Sequence, residues 1–339
     1  MPPLELYLDF GRGLWKFIVP NTNTETSTHH AIKQLSESEW KNAHRAGRIS
    51  KGYIKVQGIP YVVGDAALRH GISERPSGAM RYVETYYGVG VCYALASSLA
   101  RSSKNVTLYA SHAPVDIEYV PNLKQSCLQT WDVEYMGERL NFRITDVHTF
   151  DEPLGGFNNF VLTQEGAVRK QNPIRDSTVT VLDIGDYTTD TLAVDPGGEI
   201  DVTTLNSQRT GIGGVMKMFE KNLRARYKHV FQATGDIDRR RLQRAFVTGE
   251  FVGGGHTLIC KQEADEAANM LINDIGTIFQ SIGGLTNYDA VVLTGGGSQL
   301  MYERLIVQYP QMPFHLSEPE SDKAHFSNVR GGYKLFKLL

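Results

Sequence analysis

The sequence predicts an α/β protein built from two duplicated domains. Its 339 residues exceed what one typical hydrophobic core organises and suit about two domains. A strand, an aspartate–glycine turn and a second strand occupy residues 4–20, and the same order of features returns at residues 178–202. Two copies of one supersecondary unit indicate a duplicated fold with pseudo-symmetric halves.

The elements of the first half follow from its apolar runs. Residues 4–20 predict a β-hairpin whose turn contains Gly11 and Gly13. Residues 21–50 are polar, with one short helical stretch predicted at 36–46. Further predicted elements are strands within 51–65, at 105–114 and at 142–150, and helices at 81–98, 122–130 and 155–164.

The second half is predicted to begin near a polar connection at residues 171–177, where Pro, Asn and Asp interrupt the periodicity. We expect a first domain at 1–170, with a small inserted subdomain at about 21–80, and a second domain at 171–325. Its predicted elements are helices near 213–228, 238–247 and 264–282, a buried strand and a helix after Asp289, and a short helix at the end of the chain.

Composition and charge exclude several classes of protein. A net charge of -2, with 41% hydrophobic and 21% charged residues, gives no general attraction to nucleic acid or acidic lipid. The three scattered cysteines lack metal-ligand spacing and suggest a reducing compartment. The chain has neither a signal-peptide pattern at its start nor a run of ~18 apolar residues, so we expect a cytoplasmic protein.

The first candidate site is the turn of the opening hairpin, with Asp9, Gly11, Arg12, Gly13 and Lys16. Glycines in a tight turn let backbone N–H groups approach an anion, which suits a phosphate. An aspartate at the strand end is placed to hold Mg²⁺ through waters, and the ammonium of the lysine would reach the phosphates. The alternative is an ordinary hairpin with a capping aspartate.

The second candidate site repeats this arrangement at the start of the second half. Its residues are Asp183, Gly185, Asp186, Tyr187, Thr188 and Thr189. The threonine hydroxyls add donors where glycine N–H groups already point, and Asp183 would face Mg²⁺ or the attacking water. Asp190 is expected to stabilise the turn. Two such loops facing one another would grip a triphosphate from both sides.

A third glycine-rich segment follows a buried strand near the end of the chain. It comprises Gly295, Gly296, Gly297 and Ser298. Glycines between a strand and a helix let a base or ribose lie on the backbone, and the helix N-terminus favours negative charge. The segment lacks the G-x-G-x-x-G spacing of dinucleotide-binding enzymes, which argues against that class.

In this order, the three motifs resemble the phosphate-1, phosphate-2 and adenosine motifs of the actin, Hsp70 and sugar-kinase superfamily. Asp9, Gly11 and Lys16 fit a D-x-G-x-x-x-x-K pattern, and residues 183–190 fit D-x-G-x-x-T-x-D. YVVGDAAL at 61–68 and NVRGGYKLF at 328–336 are most similar to bacterial and archaeal actin-like proteins of the plasmid-segregating ParM type. The resemblance spans nearly the whole chain.

The resemblance implies two actin-like, ribonuclease-H-like domains around a central nucleotide cleft, with a C-terminal helix at 326–339 returning to the first domain. It implies ATP or GTP with Mg²⁺ as cofactors. It also implies a head-to-tail filament of copies of the chain, with an adaptor protein linking that filament to DNA. Neither membrane binding nor direct nucleic-acid binding is expected.

The resemblance also assigns roles to residues outside the three motifs. Gly213 and Gly214, with Gly211, would approach the ribose and phosphates. On the helix that follows, Lys217, Glu220 and Lys221 are candidates for the base or ribose edge, and a solvated helix face is the alternative reading. In the first connecting segment, Glu152 or Asp151 would orient the hydrolytic water, with Glu152 preferred as a catalytic residue alongside Asp183.

Two further charged features are an extra carboxylate in the second loop and a separate run of arginines. Asp186 and Tyr187 stand where relatives often have small residues. An extra carboxylate beside a triphosphate is repelled by it unless a metal or a lysine offsets the charge. The arginine run Arg239–Arg241 is read as a solvated helix face after a capping aspartate, with contact to nucleic acid or a neighbouring subunit as the alternative.

The leading functional hypothesis is an ATPase that polymerises head to tail and whose hydrolysis destabilises the filament. The main alternative is a small-molecule kinase of the same superfamily, although the sequence contains no distinct substrate motif. A chaperone is disfavoured because no substrate-binding β-domain follows the nucleotide domain. A non-polymerising, nucleotide-dependent switch also stays open.

Overall fold

A computed structural model describes residues 3–45, 47, 51–69, 85–98, 104–231 and 237–338. The strands of this part of the chain are β1 (Leu4–Phe10), β2 (Leu14–Val19), β3 (Thr24–His29), β4 (Ile32–Gln34), β5 (Tyr53–Val56), β6 (Ile59–Val63), β7 (Lys104–His112), β8 (Thr130–Tyr135), β9 (Glu138–Asp151), β10 (Val179–Ile184), β11 (Thr189–Val194), β12 (Ile200–Gln208), β13 (Glu250–Gly253), β14 (His256–Ile259), β15 (Ala290–Thr294) and β16 (Phe314–Leu316). Its α-helices are α1 (Glu37–Arg45), α2 (Asp65–Arg69), α3 (Thr85–Ser97), α4 (Val120–Cys127), α5 (Glu152–Val161), α6 (Ile212–Arg226), α7 (Lys228–Phe231), α8 (Arg239–Thr248), α9 (Lys261–Ser281), α10 (Ser298–Gln308) and α11 (Ser327–Leu338).

The chain forms two compact units. Unit 1 comprises Met1–Asn158, Leu162–Ala167 and Asn328–Leu339, and unit 2 comprises Asn159–Val161 and Val168–Ser327. Among the described residues, unit 1 contains a sheet in the order β3-β2-β1-β7-β9-β8-β5-β6-β4. Strand β1 is antiparallel to β2 and parallel to β7, which is in turn parallel to β9.

Unit 2 repeats the central part of that topology. Its five-stranded sheet has the order β12-β11-β10-β15-β16 in the described part of the chain, and β13 and β14 form a separate hairpin. Strand β10 is antiparallel to β11 and parallel to β15, and β15 is parallel to β16. The segment β3-β2-β1-β7-β9 has the same order and the same strand directions. The predicted α/β class and the predicted duplication are therefore confirmed.

The corresponding strands β1 and β10 of the two units are each covered on both faces. All six residues of β10 are buried, and so are six of the seven residues of β1. A strand that is buried on both faces is expected to be a nearly continuous apolar run, and both sequences have that character. The next-to-last residue of each strand is a buried aspartate, Asp9 in β1 and Asp183 in β10.

Two expectations about the first half are corrected. Residues 21–50 contain, besides α1, the strands β3 and β4, which the sequence prediction missed. Strand β3 reads Thr-Glu-Thr-Ser-Thr-His and has no apolar alternation, but all six of its residues pair with β2. The strand predicted at 142–150 is the second part of the longer β9.

Helix α11 is anchored to unit 1 by aromatic and charged contacts. Tyr7 of β1 stacks on Tyr109 of β7, with ring centroids 4.4 Å apart, and Tyr333 of α11 meets the Tyr7 ring edge-on at 5.1 Å. The Arg330 guanidinium donates to both carboxylate oxygens of Glu25, at 2.5 and 2.9 Å. None of the helices in the described part of the chain is both long and apolar enough to cross a membrane.

Candidate functional site

The turns predicted as phosphate loops belong to two hairpins of identical register. In unit 1, Asp9 pairs with Lys16, and in unit 2, Asp183 pairs with Asp190. The next pair closes each hairpin, so that each turn has four residues, 11–14 in unit 1 and 185–188 in unit 2. We call these turns loop 1 and loop 2. The duplication thus extends from strand order to individual residue positions.

Loop 1 is flanked by a buried ion pair. The Lys16 ammonium lies 2.9 Å from Oδ2 of Asp9, whose side chain is only 1% exposed. A Cβ at Gly11 would lie 2.6 Å from the Lys16 Nζ and 2.9 Å from the Leu14 carbonyl oxygen. Glycine is therefore required for the backbone to lie this close to the ion pair.

The backbone of loop 1 rests on a histidine. The His30 N–H donates to the Gly13 carbonyl at 3.1 Å, and its ring Nδ1 lies 3.1 Å from the Gly11 carbonyl oxygen. Below these contacts Phe10 stacks on Trp15, with centroids 4.6 Å apart. Hydrogen bonding and aromatic packing together fix the loop. Arg12, the remaining predicted residue of loop 1, is half-buried.

A second polar group of unit 1 lies where β7 and β9 end. Ser111 and His112 are the last residues of β7, and His112 pairs with Asp151 at the end of β9. The Ser111 hydroxyl donates to Oε1 of Glu152 at 3.5 Å, and the His112 Nδ1 lies 3.5 Å from Oδ1 of Asp151. Because β1, β7 and β9 are parallel, their carboxyl ends share one edge of the sheet, and Asp9, the next-to-last residue of β1, lies at that edge.

The two carboxylates considered for water positioning have different surroundings. Glu152 is buried at the first position of α5, with 8% exposure, and Asp151 is half-buried at the N-cap position. Burial raises the pKa of Asp151 above its usual range, and the nearby His112 opposes that shift. The sequence drew attention to the two carboxylates but not to Ser111 or His112, which are brought beside them by parallel strand pairing.

Loop 2 is held by backbone and hydroxyl contacts. The Gly185 N–H donates to the Thr188 carbonyl at 2.9 Å, and the Thr188 hydroxyl donates to Oδ2 of Asp190 at 2.8 Å. The Thr189 hydroxyl donates to the Thr210 carbonyl at 2.7 Å. The hydroxyls of both threonines thus make contacts within unit 2, whereas the Tyr187 side chain is 46% exposed.

The glycines that begin α6 pack on loop 2. The Ile212 N–H donates to the Gly185 carbonyl at 3.0 Å, and the Gly213 N–H donates to the Asp186 carbonyl at 2.8 Å. A Cβ at Gly213 would lie 2.6 Å from that same Asp186 oxygen, so only glycine permits this approach. A Cβ at Gly214 would meet nothing within 4 Å.

Farther along α6, Lys217 and Glu220 follow Gly213 at helical spacing on one face. Lys217 is exposed. Glu220 forms an ion pair with Arg224 one turn later, at 2.8 Å. Both residues stay candidates for a ligand contact, and the ion pair of Glu220 with Arg224 fits the alternative of a solvated helix face.

The third predicted segment lies at the end of β15, beside the end of β10. Gly295 has a φ of +81°, and a Cβ there would lie 2.1 Å from Oδ1 of Asp183. The Gly297 N–H donates to the Ile184 carbonyl at 2.8 Å, and the buried Ser298 hydroxyl donates to the Gly295 carbonyl at 2.7 Å. A Cβ at Gly296 would have His325 as its nearest neighbour, at 3.5 Å. Unit 2 therefore brings loop 2, the start of α6 and this segment together.

The position of Gly295 predicts a loss of stability on substitution. We expect Gly295→Ala to lower the free energy of unfolding, because a left-handed backbone costs about 1–2 kcal/mol with a Cβ present and overlap with Asp183 adds to that cost. Urea denaturation followed by circular dichroism measures the change. Gly214→Ala, with open space around the new methyl group, is the matched control and should be neutral or stabilising. Equal urea midpoints for the two variants would contradict the argument.

One charged residue close to loop 2 was not predicted as part of the site. Arg239, the first residue of α8, forms an ion pair with Oδ1 of Asp186 through its terminal Nη2. Asp238 caps the same helix, since its carboxylate accepts from the N–H groups of Arg240 and Arg241 at 3.1 Å. The signal in the sequence that could have revealed Arg239 is the Asp186 carboxylate of loop 2, because a carboxylate beside a phosphate needs a cation nearby.

The comparisons with known proteins agree with this architecture. Residues 181–306 match the family described as "Archaeal actin homologue MreB-like, C-terminal". No curated protein matches the sequence. Among solved structures, native Ta0583, an archaeal actin homolog, has a TM-score of 0.74 at 17% identity, with 97% of this chain and 98% of that chain covered.

Two other solved structures extend the likeness. The complex of Ta0583 with ADP has a TM-score of 0.69 at 16% identity, covering 97% of this chain and 98% of that one. A 15-stranded ParM filament from Clostridium botulinum has a TM-score of 0.69 at 15% identity, covering 99% of both chains. At these identities the likeness establishes the fold, and it confirms the actin-like, ParM-type resemblance that the sequence motifs predicted.

Proposed function

From the actin-like fold of this chain, we propose that it binds ATP with Mg²⁺, hydrolyses it, and assembles head to tail into filaments. The observation that carries the proposal is the repeated hairpin, in which a buried aspartate precedes a tight glycine turn at the same register in both units. An ordinary hairpin with a capping aspartate does not explain why both units keep a buried aspartate and a glycine turn at the same register. The ADP complex of Ta0583 supports the choice of nucleotide.

The residues of loop 1 fit a hydrated magnesium ion and a phosphate. Oδ1 of Asp9 is buried and has no hydrogen-bond partner among the described residues, while Oδ2 contacts Lys16. Mg²⁺ prefers oxygen ligands and keeps several of its waters, so Asp9 is a proposed ligand through water. Gly11, Arg12 and Gly13 supply the backbone and the cation that a phosphate needs.

The residues of unit 2 fit a cation as well. Asp183 and Asp190 are buried and directly opposite one another in the hairpin, at 2% and 1% exposure. Like charges directly opposite on one face of a hairpin destabilise it. A divalent cation would relieve that repulsion, and Asp183 is therefore a proposed magnesium ligand through water. When bound, Mg²⁺ would neutralise negative charge on the phosphates, and the carboxylates would hold the ion in place.

For hydrolysis, Glu152 is the proposed water-positioning residue. Its buried position beside Ser111 restricts the carboxylate to few orientations, which is what in-line placement of a water requires. The proposal for polymerisation rests on the likeness to the ParM filament from Clostridium botulinum. A head-to-tail contact that does not close on itself generates an open helical assembly. We further propose that the filament segregates plasmid DNA through an adaptor protein. Whether ATP or GTP is the preferred nucleotide is tested by comparing the two.

The experiment that tests the proposal is sedimentation of the purified chain at micromolar concentration. We expect pelleting with ATP and Mg²⁺, release of phosphate in the same samples, and no pelleting when EDTA removes the metal. Electron microscopy of the pellet distinguishes filaments from aggregates. Absence of nucleotide-dependent pelleting would reject polymerisation, and absence of phosphate release would reject the ATPase assignment.

A further inference from the structure

The two loops are opposite in charge despite their identical register. The third residue after the strand aspartate is Arg12 in loop 1 and Asp186 in loop 2, and the cross-strand partner is Lys16 in the first hairpin and Asp190 in the second. The first hairpin therefore has two cations, one in loop 1 and one in β2, at the positions where the second hairpin has two carboxylates. A loop with this charge repels a polyphosphate unless a cation from elsewhere offsets it.

Arg239 supplies that cation. Its guanidinium pairs with Asp186, and its side chain stays 44% exposed. A guanidinium has five N–H donors in a planar fork that matches phosphate oxygens, so contact with one carboxylate oxygen leaves donors for an oxyanion. The Asp238 cap fixes the start of α8, which places Arg239 reproducibly beside loop 2.

The backbone of Asp186 is held in place by the start of α6. The Asp186 carbonyl accepts from the Gly213 N–H at 2.8 Å, and a Cβ at Gly213 would lie 2.9 Å from Oδ1 of Asp186. The start of α6 therefore fixes the backbone of loop 2 at Asp186, and the carboxylate that projects from this position pairs with Arg239. The charge of the carboxylate has to be offset where it stands.

We infer that Arg239 is a positioning residue of the nucleotide site, which neutralises Asp186 and makes loop 2 compatible with phosphate. This inference rests on the proposed nucleotide-binding function. In the first hairpin, Arg12 and Lys16 supply the positive charge beside the proposed phosphate site. In the second hairpin, Arg239 supplies it from α8. The alternative is an ion pair that only attaches α8 to loop 2 and has no influence on the ligand.

The test measures binding of MgATP, MgADP and uncharged adenosine by isothermal titration calorimetry. Arg239→Ala should weaken MgATP and MgADP by about tenfold, because it leaves Asp186 as a net negative charge beside the phosphates. Adenosine binding should not change, since adenosine has no phosphate to repel. Arg240→Ala removes the same charge from the neighbouring exposed position of α8 and is the matched control.

A second variant separates charge from structure. Asp186→Asn in the Arg239→Ala background removes the unpaired carboxylate and should restore MgATP affinity to within about twofold of the wild type. Equal binding by the Arg239→Ala and Arg240→Ala variants would overturn the inference. So would a loss that extends equally to adenosine, or a double variant that binds no better than Arg239→Ala. If the wild type fails to bind MgATP, the nucleotide proposal itself is rejected, and the inference with it.

Discussion

Glu152→Gln is expected to lower the rate of phosphate release by about a hundredfold or more while MgATP still binds. Replacing the carboxylate by an amide keeps its size and its contact with Ser111 but removes the ability to accept a proton from water. Loss of a positioned general base costs about 10²–10⁴ in rate. Single-turnover phosphate release with saturating MgATP measures the chemical step, and calorimetric titration measures binding.

Two variants make that result specific. Glu165→Gln removes an exposed carboxylate from the same unit and should leave turnover unchanged. Asp151→Asn tests the neighbouring candidate, whose carboxyl group contacts His112. A larger loss from Asp151→Asn than from Glu152→Gln would transfer the proposed role to Asp151. Unchanged turnover in the Glu152→Gln variant would reject the assignment of Glu152.

The parts of the fold that the sequence predicted are those with local signals. Strands β1 and β10 are buried on both faces, so each is a nearly continuous apolar run, and each run ends at an aspartate and a glycine turn. Gly295 and Gly297 lie directly beside the end of β10, where a side chain has no room. Burial of a strand and lack of room for a side chain each restrict the residue type at a single position. These local restrictions made all three glycine-rich segments recognisable in the sequence.

The parts that were missed depend on contacts between distant positions. Strand β3 is polar throughout, and only its pairing with β2 makes it a strand. Arg239 follows Asp186 by 53 positions, and one arginine in a run of three does not reveal which member pairs with a carboxylate. The three arginines have the same chemistry in the sequence, and it is the Asp238 cap that sets the start of the helix.

Lys16→Met is expected to lower the free energy of unfolding by about 3 kcal/mol, because breaking a buried ion pair leaves an uncompensated buried charge. Asp9 is 1% exposed, and its Oδ2 lies 2.9 Å from the lysine ammonium, whereas methionine fills a similar volume without a charge. Urea denaturation followed by tryptophan fluorescence measures the loss, because all three tryptophans of the chain belong to unit 1. Lys33→Met, which breaks the more exposed 3.2 Å pair with Glu39, is the matched control and should cost under about 1 kcal/mol.

The double variant Asp9→Asn/Lys16→Met separates the structural role of this pair from its proposed role in binding. Removing both charges should recover most of the lost stability, since a neutral amide beside methionine leaves no buried ion. MgATP binding should not recover, because the proposed magnesium-facing carboxylate and the proposed phosphate-facing ammonium are both absent. A double variant that is stable and binds MgATP as the wild type does would show that this ion pair serves the fold alone. The identical register of this pair and of Asp183 with Asp190 would then reflect only the duplication of the hairpin.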